Sequence, residues 1–398
     1  MTGPLCKPLR GGRRCAWALL AAMLAGCTAT PPPPSMPAAD APLELAVQAL
    51  MLREGVQGLA LAVIRDGAVD QVLSLGSRDV AAALPLTDGT IVYGASFTKT
   101  AVAYLALQLV DENRLDLDAG LPQLLPKPLP HYTAPGRNYS DLLGDERWRR
   151  LSPRVLLSHG SGFANFRWLE PDGRLRFHFE PGVHYAYSGE GYRVLQLALE
   201  SVLGIGLDEA MDERVFAPLG MADTAMVWRP DFADRAALGY DIDGEAIPHD
   251  RRAVPDAAGS MDTTIRDQAQ FWAALVRGDG LSEHARREMF RAQRPITSAQ
   301  QFPTLPETRD APYRDIGLAA GLGVLRFAGP QGLVWFKGGH DVGTANMAIC
   351  VQARRDCLVL MSNDVRAERI FPAVSRRVLG ATGLPWSWEY GGLSDTAN

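Results

Sequence analysis

Apolar stretches at the two ends of the folded part constrain the architecture most. Near the start, Leu59–Arg65 and Ala68–Leu75 read as short strands joined at Asp66-Gly67, a dipeptide suited to a tight hairpin turn. Near the end, Ala319–Phe327, Leu333–Lys337, Asn346–Ala353 and Leu358–Ser362 read as strands again. A helix is expected over Leu43–Arg53 and another over about Ala367 to Leu379. Between the two groups, from about residue 115 to 300, the pattern is of helices and loops with proline-rich interruptions such as Pro122 to Pro135. Strands at both ends and helices between them predict an α+β fold. One antiparallel sheet is assembled from both chain ends, flanked by helices, with a largely helical inserted subdomain. The active region is then expected where sheet and insertion meet.

The segment before this domain reads as an export and anchoring device. Arg10, Arg13 and Arg14 precede an apolar stretch from Cys15 to Ala25, which is too short to span a bilayer but suits a signal segment. It ends in Leu24-Ala25-Gly26-Cys27, which resembles the lipobox of bacterial lipoproteins and implies a lipid on Cys27 after cleavage. Residues 28–42 are rich in Pro and Ala, and such chain stays extended, as a tether would. The expected organisation is therefore 1–27 signal, 28–42 tether and 43–390 folded domain. The expected location is the periplasm, lipid-anchored, with Thr28 after the lipidated Cys compatible with an outer membrane. Among 398 residues the net charge is −5, which supplies no broad basic surface, so nucleic acid is not an expected partner.

Cys350 and Cys357 are the two cysteines outside the leader. A two-residue turn at Ala353-Arg354 would set them opposite each other and allow a disulfide, as an oxidising compartment permits. Neither residue favours positive φ, however, and a longer loop is expected to shift the register and separate them.

The sharpest local chemical signal is Ser96-Phe97-Thr98-Lys99. At the start of a helix, positions i and i+3 share a face, so the Lys99 amine reaches the Ser96 hydroxyl. A serine needs a base to become a nucleophile, and a lysine among apolar residues has its charged form disfavoured. Two further clusters follow: Tyr185-Ala186-Tyr187-Ser188-Gly189 after Pro181-Gly182, and Trp335-Phe336-Lys337-Gly338-Gly339-His340 at a strand end.

Taken with Leu156–Phe163, Phe216–Thr224 and Ala258–Thr264, these segments resemble the serine β-lactamase and penicillin-binding family. The similarity is to its class C-like branch, over about residues 45 to 380. The resemblance implies Ser96 as acylated nucleophile, Lys99 as its proton partner, and Tyr187 as a base or acid. It implies Lys337 as the cation of the third motif, with Gly338 and Gly339 beside the substrate. The oxyanion would be met by the backbone N–H of Ser96 and of His340. No metal or organic cofactor is implied, and the expected partner is a small-molecule or cell-wall peptide substrate. Two departures stand out. Gly189 replaces an asparagine that contacts the acyl side of substrates. Gly338 replaces a hydroxyl residue that could hold a substrate carboxylate. Both favour an esterase or other acyl hydrolase over a β-lactamase. The alternative is an envelope lipoprotein that binds penicillin or wall fragments without turnover.

Other candidates have simpler readings. His340-Asp341-Val342 could supply a histidine in place of Lys337. Tyr185 competes with Tyr187. Ser158–Gly162 reads as a structural turn, and His178, Glu180 and His184 as solvated loop residues, their spacing fitting no metal site. Trp148, Trp168, Trp228 and Trp335 are read as packing residues, while Phe166, Arg167 and Trp168 are placed on a loop that could wall the cleft.

Overall fold

The computed structural model describes residues 41–305, 313–393 and 395. The leader and most of the tether, with Cys27, lie outside the described residues.

Nine strands form one antiparallel sheet: β1 (Gly58–Arg65), β2 (Ala68–Asp79), β3 (Leu84–Pro85), β4 (Arg294–Pro295), β5 (Ala319–Ala320), β6 (Leu325–Gly329), β7 (Gly332–Asp341), β8 (Thr344–Val351) and β9 (Asp356–Ser362). Their order is β4-β5-β6-β7-β8-β9-β1-β2-β3, so the last strand of the chain pairs with the first. The sheet is closed by both chain ends, as the strand pattern predicts.

The principal helices are α1 (Leu43–Glu54), α2 (Phe97–Asp111), α3 (Gly189–Leu203), α4 (Ile265–Arg277), α5 (Glu283–Phe290), α6 (Phe371–Leu379) and α7 (Trp386–Glu389). Helix α2 is buried along nearly its whole length, from Phe97 to Leu107. It can be so because its residues there are apolar all round, apart from Lys99, Tyr104 and two threonines, Thr98 and Thr100, whose polar atoms find partners. One core packs α2, α3 and α4 on one face of the sheet, and a second packs α1, α6 and α7 on the other.

Several boundaries differ from the expected ones for identifiable reasons. The stretch Ala319–Phe327 is two strands, because Gly323 takes a positive φ and turns the chain back. Strand β7 runs on past Lys337 through Gly338, Gly339 and His340 to Asp341, held by pairing with β8 rather than by its own propensity. The terminal helix begins only at Phe371, with Pro372 in its first turn and a 3-10 turn over Val365–Arg369 before it.

Cys350 and Cys357 face each other on β8 and β9 and form a disulfide, their Cα atoms 4.1 Å apart. The connection is not a two-residue turn. Residues 352–354 form a single 3-10 turn and Arg355 takes a left-handed conformation, φ 54°, before β9 begins. This longer loop keeps the pairing in register rather than shifting it, contrary to the expectation for a longer connection.

Candidate active site

Ser96 sits on a tight turn that delivers it to the start of α2. Ala95 before it has φ 46°, a conformation unfavourable for a residue with a Cβ, held by the Thr98 hydroxyl bonding back to the Ala95 carbonyl at 2.6 Å. A serine in this position ordinarily caps the helix with its hydroxyl. Here no such cap forms, and the hydroxyl instead meets two other side chains. Lys99 Nζ is 3.1 Å from Ser96 Oγ, and the Tyr187 hydroxyl is 2.8 Å from it. Lys337 Nζ in turn lies 3.2 Å from the Tyr187 hydroxyl and 2.6 Å from the Gly338 carbonyl. Thus Ser96, Lys99, Tyr187 and Lys337, spread over 242 positions of sequence, form one hydrogen-bonded chain.

Burial decides the charge states. Lys99 is 1% exposed, and desolvation, helped by repulsion from Lys337, holds its amine well below the usual lysine range. Its other partner is the Ala258 carbonyl, an acceptor that orients the amine without fixing a charge on it. Tyr187 is pushed upward by burial, so its phenol stays neutral. Lys337 is lowered by burial to about 8, with the Glu389 charge pulling it back up. At neutral pH this arrangement supplies a lysine biased toward the free amine, a neutral phenol and a cation, in a line.

Each side chain is placed by local structure. Tyr187 immediately precedes Ser188, which caps α3 through the Gly191 N–H at 3.0 Å. Beneath the Tyr187 ring lies the imidazole of His159, centroids 4.2 Å apart. Burial keeps that imidazole neutral, and its Nδ1 accepts the Ser188 N–H at 3.1 Å. The Ser158–Gly162 turn is therefore a support for Tyr187. Tyr185 points away, its hydroxyl donating to Gln301 at 2.8 Å. On β7, a side chain at Gly339 would press on the backbone nitrogens of Ser96 and Phe97, at 3.1 and 3.2 Å. Glycine there lets the strand carrying Lys337 and His340 pass close to the nucleophile turn without crowding it. The imidazole of His340 lies at the rim, edge-on to Phe302 and 3.9 Å from Glu368, so Lys337 and not His340 faces Tyr187.

The cleft around these residues has a volume of about 410 Å³. Its walls explain the two glycine departures. A side chain on Gly189 would collide with the Phe166 ring, and one on Gly338 would collide with a Glu389 carboxylate oxygen. Phe166 stacks on Trp168 at 4.0 Å, with the Arg193 guanidinium 5.0 Å from the Phe166 centroid. Arg193 and Arg167 both pair with the buried Glu190, and Arg193 also pairs with Asp256, two residues before the carbonyl that holds Lys99. The loop at Phe166, Arg167 and Trp168, expected to wall the cleft, does so through Phe166 and Trp168, while Arg167 is its tie. Trp148 and Trp335 are core residues, and Trp228 packs on Phe232. His178 pairs with Glu170 and Glu180 with Arg150.

Glu389 and the Glu190 network were not singled out from sequence, and the packing of Phe166 against Gly189 was not foreseen. Glu389 lies beyond the recognisable motifs in the short helix α7, and nothing local marks it as part of the cleft.

Comparison with known proteins gives a consistent picture. The family profile described as Beta-lactamase matches residues 43–381. A D-aminopeptidase of Gluconobacter oxydans (strain 621H) is 27% identical over 382 residues, covering 90% of this chain and 65% of that protein. The chain spans less than two thirds of the length of the first curated relatives it matches, 65% of one and 61% of others. Among solved structures, the octameric penicillin-binding protein homologue from Pyrococcus abyssi aligns with a TM-score of 0.67 at 19% identity, over 85% of this chain and 77% of that one. The D-alanine carboxypeptidase AmpC from Burkholderia cenocepacia aligns with a TM-score of 0.65 at 18% identity, over 85% and 97%. At these identities the structural likeness is one of fold.

Proposed function

The chain belongs to the beta-lactamase family, and from that premise we propose that it hydrolyses an ester or amide through an acyl-enzyme on Ser96. The observation that carries this reading is the pair of contacts at Ser96 Oγ, 3.1 Å to Lys99 and 2.8 Å to Tyr187. In this mechanism the free amine of Lys99 takes the Ser96 proton as Oγ attacks the carbonyl carbon. The oxyanion is met by the N–H groups of Ser96 and His340, each such donor typically contributing about 3–4 kcal/mol to the barrier reduction. Collapse breaks the bond to the leaving group, which departs with a proton from the neutral Tyr187 hydroxyl. The proton held by Lys99 restores Tyr187. Water then attacks the acyl-Ser96 carbonyl and passes a proton to Lys99 or Tyr187; collapse breaks the acyl–Oγ bond, that proton returns to Ser96 Oγ, and the acid is released. Lys337 stabilises partial negative charge on the Tyr187 oxygen while that proton is in transit.

The cleft walls favour esters or peptides over β-lactams. Phe166 stands where an amide donor would be needed, and a carboxylate stands where a β-lactam carboxylate would be received. The name of the Gluconobacter relative supports including D-amino-acid peptides among the candidates. Turnover of a p-nitrophenyl ester, nitrocefin and a D-alanyl anilide, each with and without Ser96→Ala, tests the reading. Hydrolysis of the ester or the anilide that disappears in the variant supports it. Adduct formation without release would favour the binding lipoprotein instead.

We propose further that the chain is exported to the periplasm and held at the outer membrane by lipid on Cys27. The arginines, apolar stretch and Leu24-Ala25-Gly26-Cys27 sequence support that reading, and residues 28–42 would serve as the tether.

A further inference from the structure

The acidic end of the cleft has no assigned role in the acyl-transfer steps. Glu389 is only 5% exposed, lines the cleft with Ser96, Gly338 and His340, and its Oε2 is buried without any hydrogen-bond partner. A buried carboxylate oxygen left unpartnered is costly unless something completes it. The nearest cation does not do so by contact. Lys337 Nζ bonds the Tyr187 hydroxyl and the Gly338 carbonyl, and no ion pair links it to Glu389 among the described residues.

The surroundings fit a positive charge. Behind Glu389 the cleft adjoins a hollow of about 540 Å³ lined by Phe302, His340, Glu368 and Tyr390. Beside the apolar Ile242, Val365 and Leu393, these wall groups are aromatic or acidic, and aromatic faces attract cations. Arg369 also lines the hollow, but its guanidinium is directed to Glu54, 4.0 Å away. Burial and then the Glu389 charge raise Glu368 to about 8, so at neutral pH the negative charge at this end is that of Glu389. Burial raises Glu389 itself to about 7 while Lys337 pulls it down, so an incoming cation would complete its ionisation.

We propose that Glu389 is a specificity determinant, receiving a cationic amine on the substrate beside Gly338, where carboxylate-bearing substrates would otherwise place their negative charge. The inference rests on the reading of Ser96 as the acylated nucleophile and deepens it. Substrates are then amines that also carry the scissile ester or amide. Free carboxylates at the same position are rejected by like charge and by the volume Glu389 fills.

The test uses three butyrate esters differing only in the para substituent of the phenol: 4-(aminomethyl)phenyl, 4-methylphenyl and 4-(carboxymethyl)phenyl. Phenol release gives kcat/KM for wild type, Glu389→Gln, Glu389→Asp and Ser96→Ala. Wild type is expected to prefer the ammonium ester over the neutral one by about tenfold or more, as a charge-assisted contact would give, with the carboxylate ester slowest. Glu389→Gln should collapse the order while Glu389→Asp keeps it. The ratio across substrates, rather than the absolute rate, is read, because a merely structural loss lowers all three alike. Turnover without charge preference, or a preference untouched by Glu389→Gln, overturns the inference and leaves the hydrolase reading standing. Release equal to that of Ser96→Ala for all three esters overturns the hydrolase reading and the inference with it.

Discussion

The Lys337 ammonium lies 3.2 Å from the Tyr187 hydroxyl, and the same lysine is held near a pKa of about 8 by burial against the opposing charge of Glu389. Lys337 therefore carries its charge below about pH 8 and loses it above. If that charge supports the proton relay at Tyr187, kcat/KM for a neutral ester should fall as pH rises through about 8. Because the Glu389 carboxylate raises the lysine, Glu389→Gln should move this alkaline limb to lower pH. A limb that moves upward or stays in place in the variant would contradict the assignment.

Phe166 and Gly189 share one volume, so their substitutions should not add. Gly189→Asn alone forces the new side chain against the Phe166 ring and should lower kcat/KM for a neutral ester, with overpacking costing about 1–3 kcal/mol. Phe166→Ala in the same chain should recover most of that loss, and the double variant should acylate with penicillin faster than wild type. Rates for the two single variants and the double variant form a cycle. Additive effects would show that the ring does not stand in for the missing side chain.

The Cys350–Cys357 link closes a short loop across β8 and β9, a sequence separation of 7. On loop-closure grounds its removal should destabilise the domain by about 2–3 kcal/mol. Urea unfolding of the Cys350→Ala/Cys357→Ala variant, against oxidised wild type, reads this directly. Equal midpoints would mean that hydrogen bonding between the strands already determines the stability of this region.

The anchoring proposal predicts that Cys27→Ala in the full chain shifts the protein from the membrane to the soluble fraction after cell breakage. Labelling with a radioactive or clickable fatty acid should be lost together with it. A membrane-bound, unlabelled wild type would point to another means of attachment.

What sequence could reveal depended on how local the cause was. Ser96 and Lys99 are three residues apart on one helix, so helical geometry alone brings them together, and the structure places them at 3.1 Å. Tyr187 and Lys337 carry no such local signal, and their roles came from resemblance to a family. The sheet was legible from its apolar strands, whereas the glycine-rich end of β7 was not, because Gly338–Asp341 are strand only through pairing with β8. From sequence, the opposition of the cysteine pair depends on a two-residue turn and a longer loop is expected to separate it, whereas the four-residue connection with Arg355 left-handed keeps the two opposite each other. Phe166 and Glu389 were illegible as fillers of two glycine positions. Each approaches from a segment remote in sequence, and only the packed fold shows that it occupies the space a side chain at the glycine would take.

The central claim, that Ser96 is acylated, is tested most directly by intact mass of residues 43–398 after brief incubation with a p-nitrophenyl acyl ester, beside Ser96→Ala. The account predicts a mass increase of one acyl group, located by peptide mapping to Ser96. The increase should be absent in the variant, with turnover there reduced on the order of a thousandfold or more. An acyl group found on another residue, or ester turnover undiminished in Ser96→Ala, would contradict it.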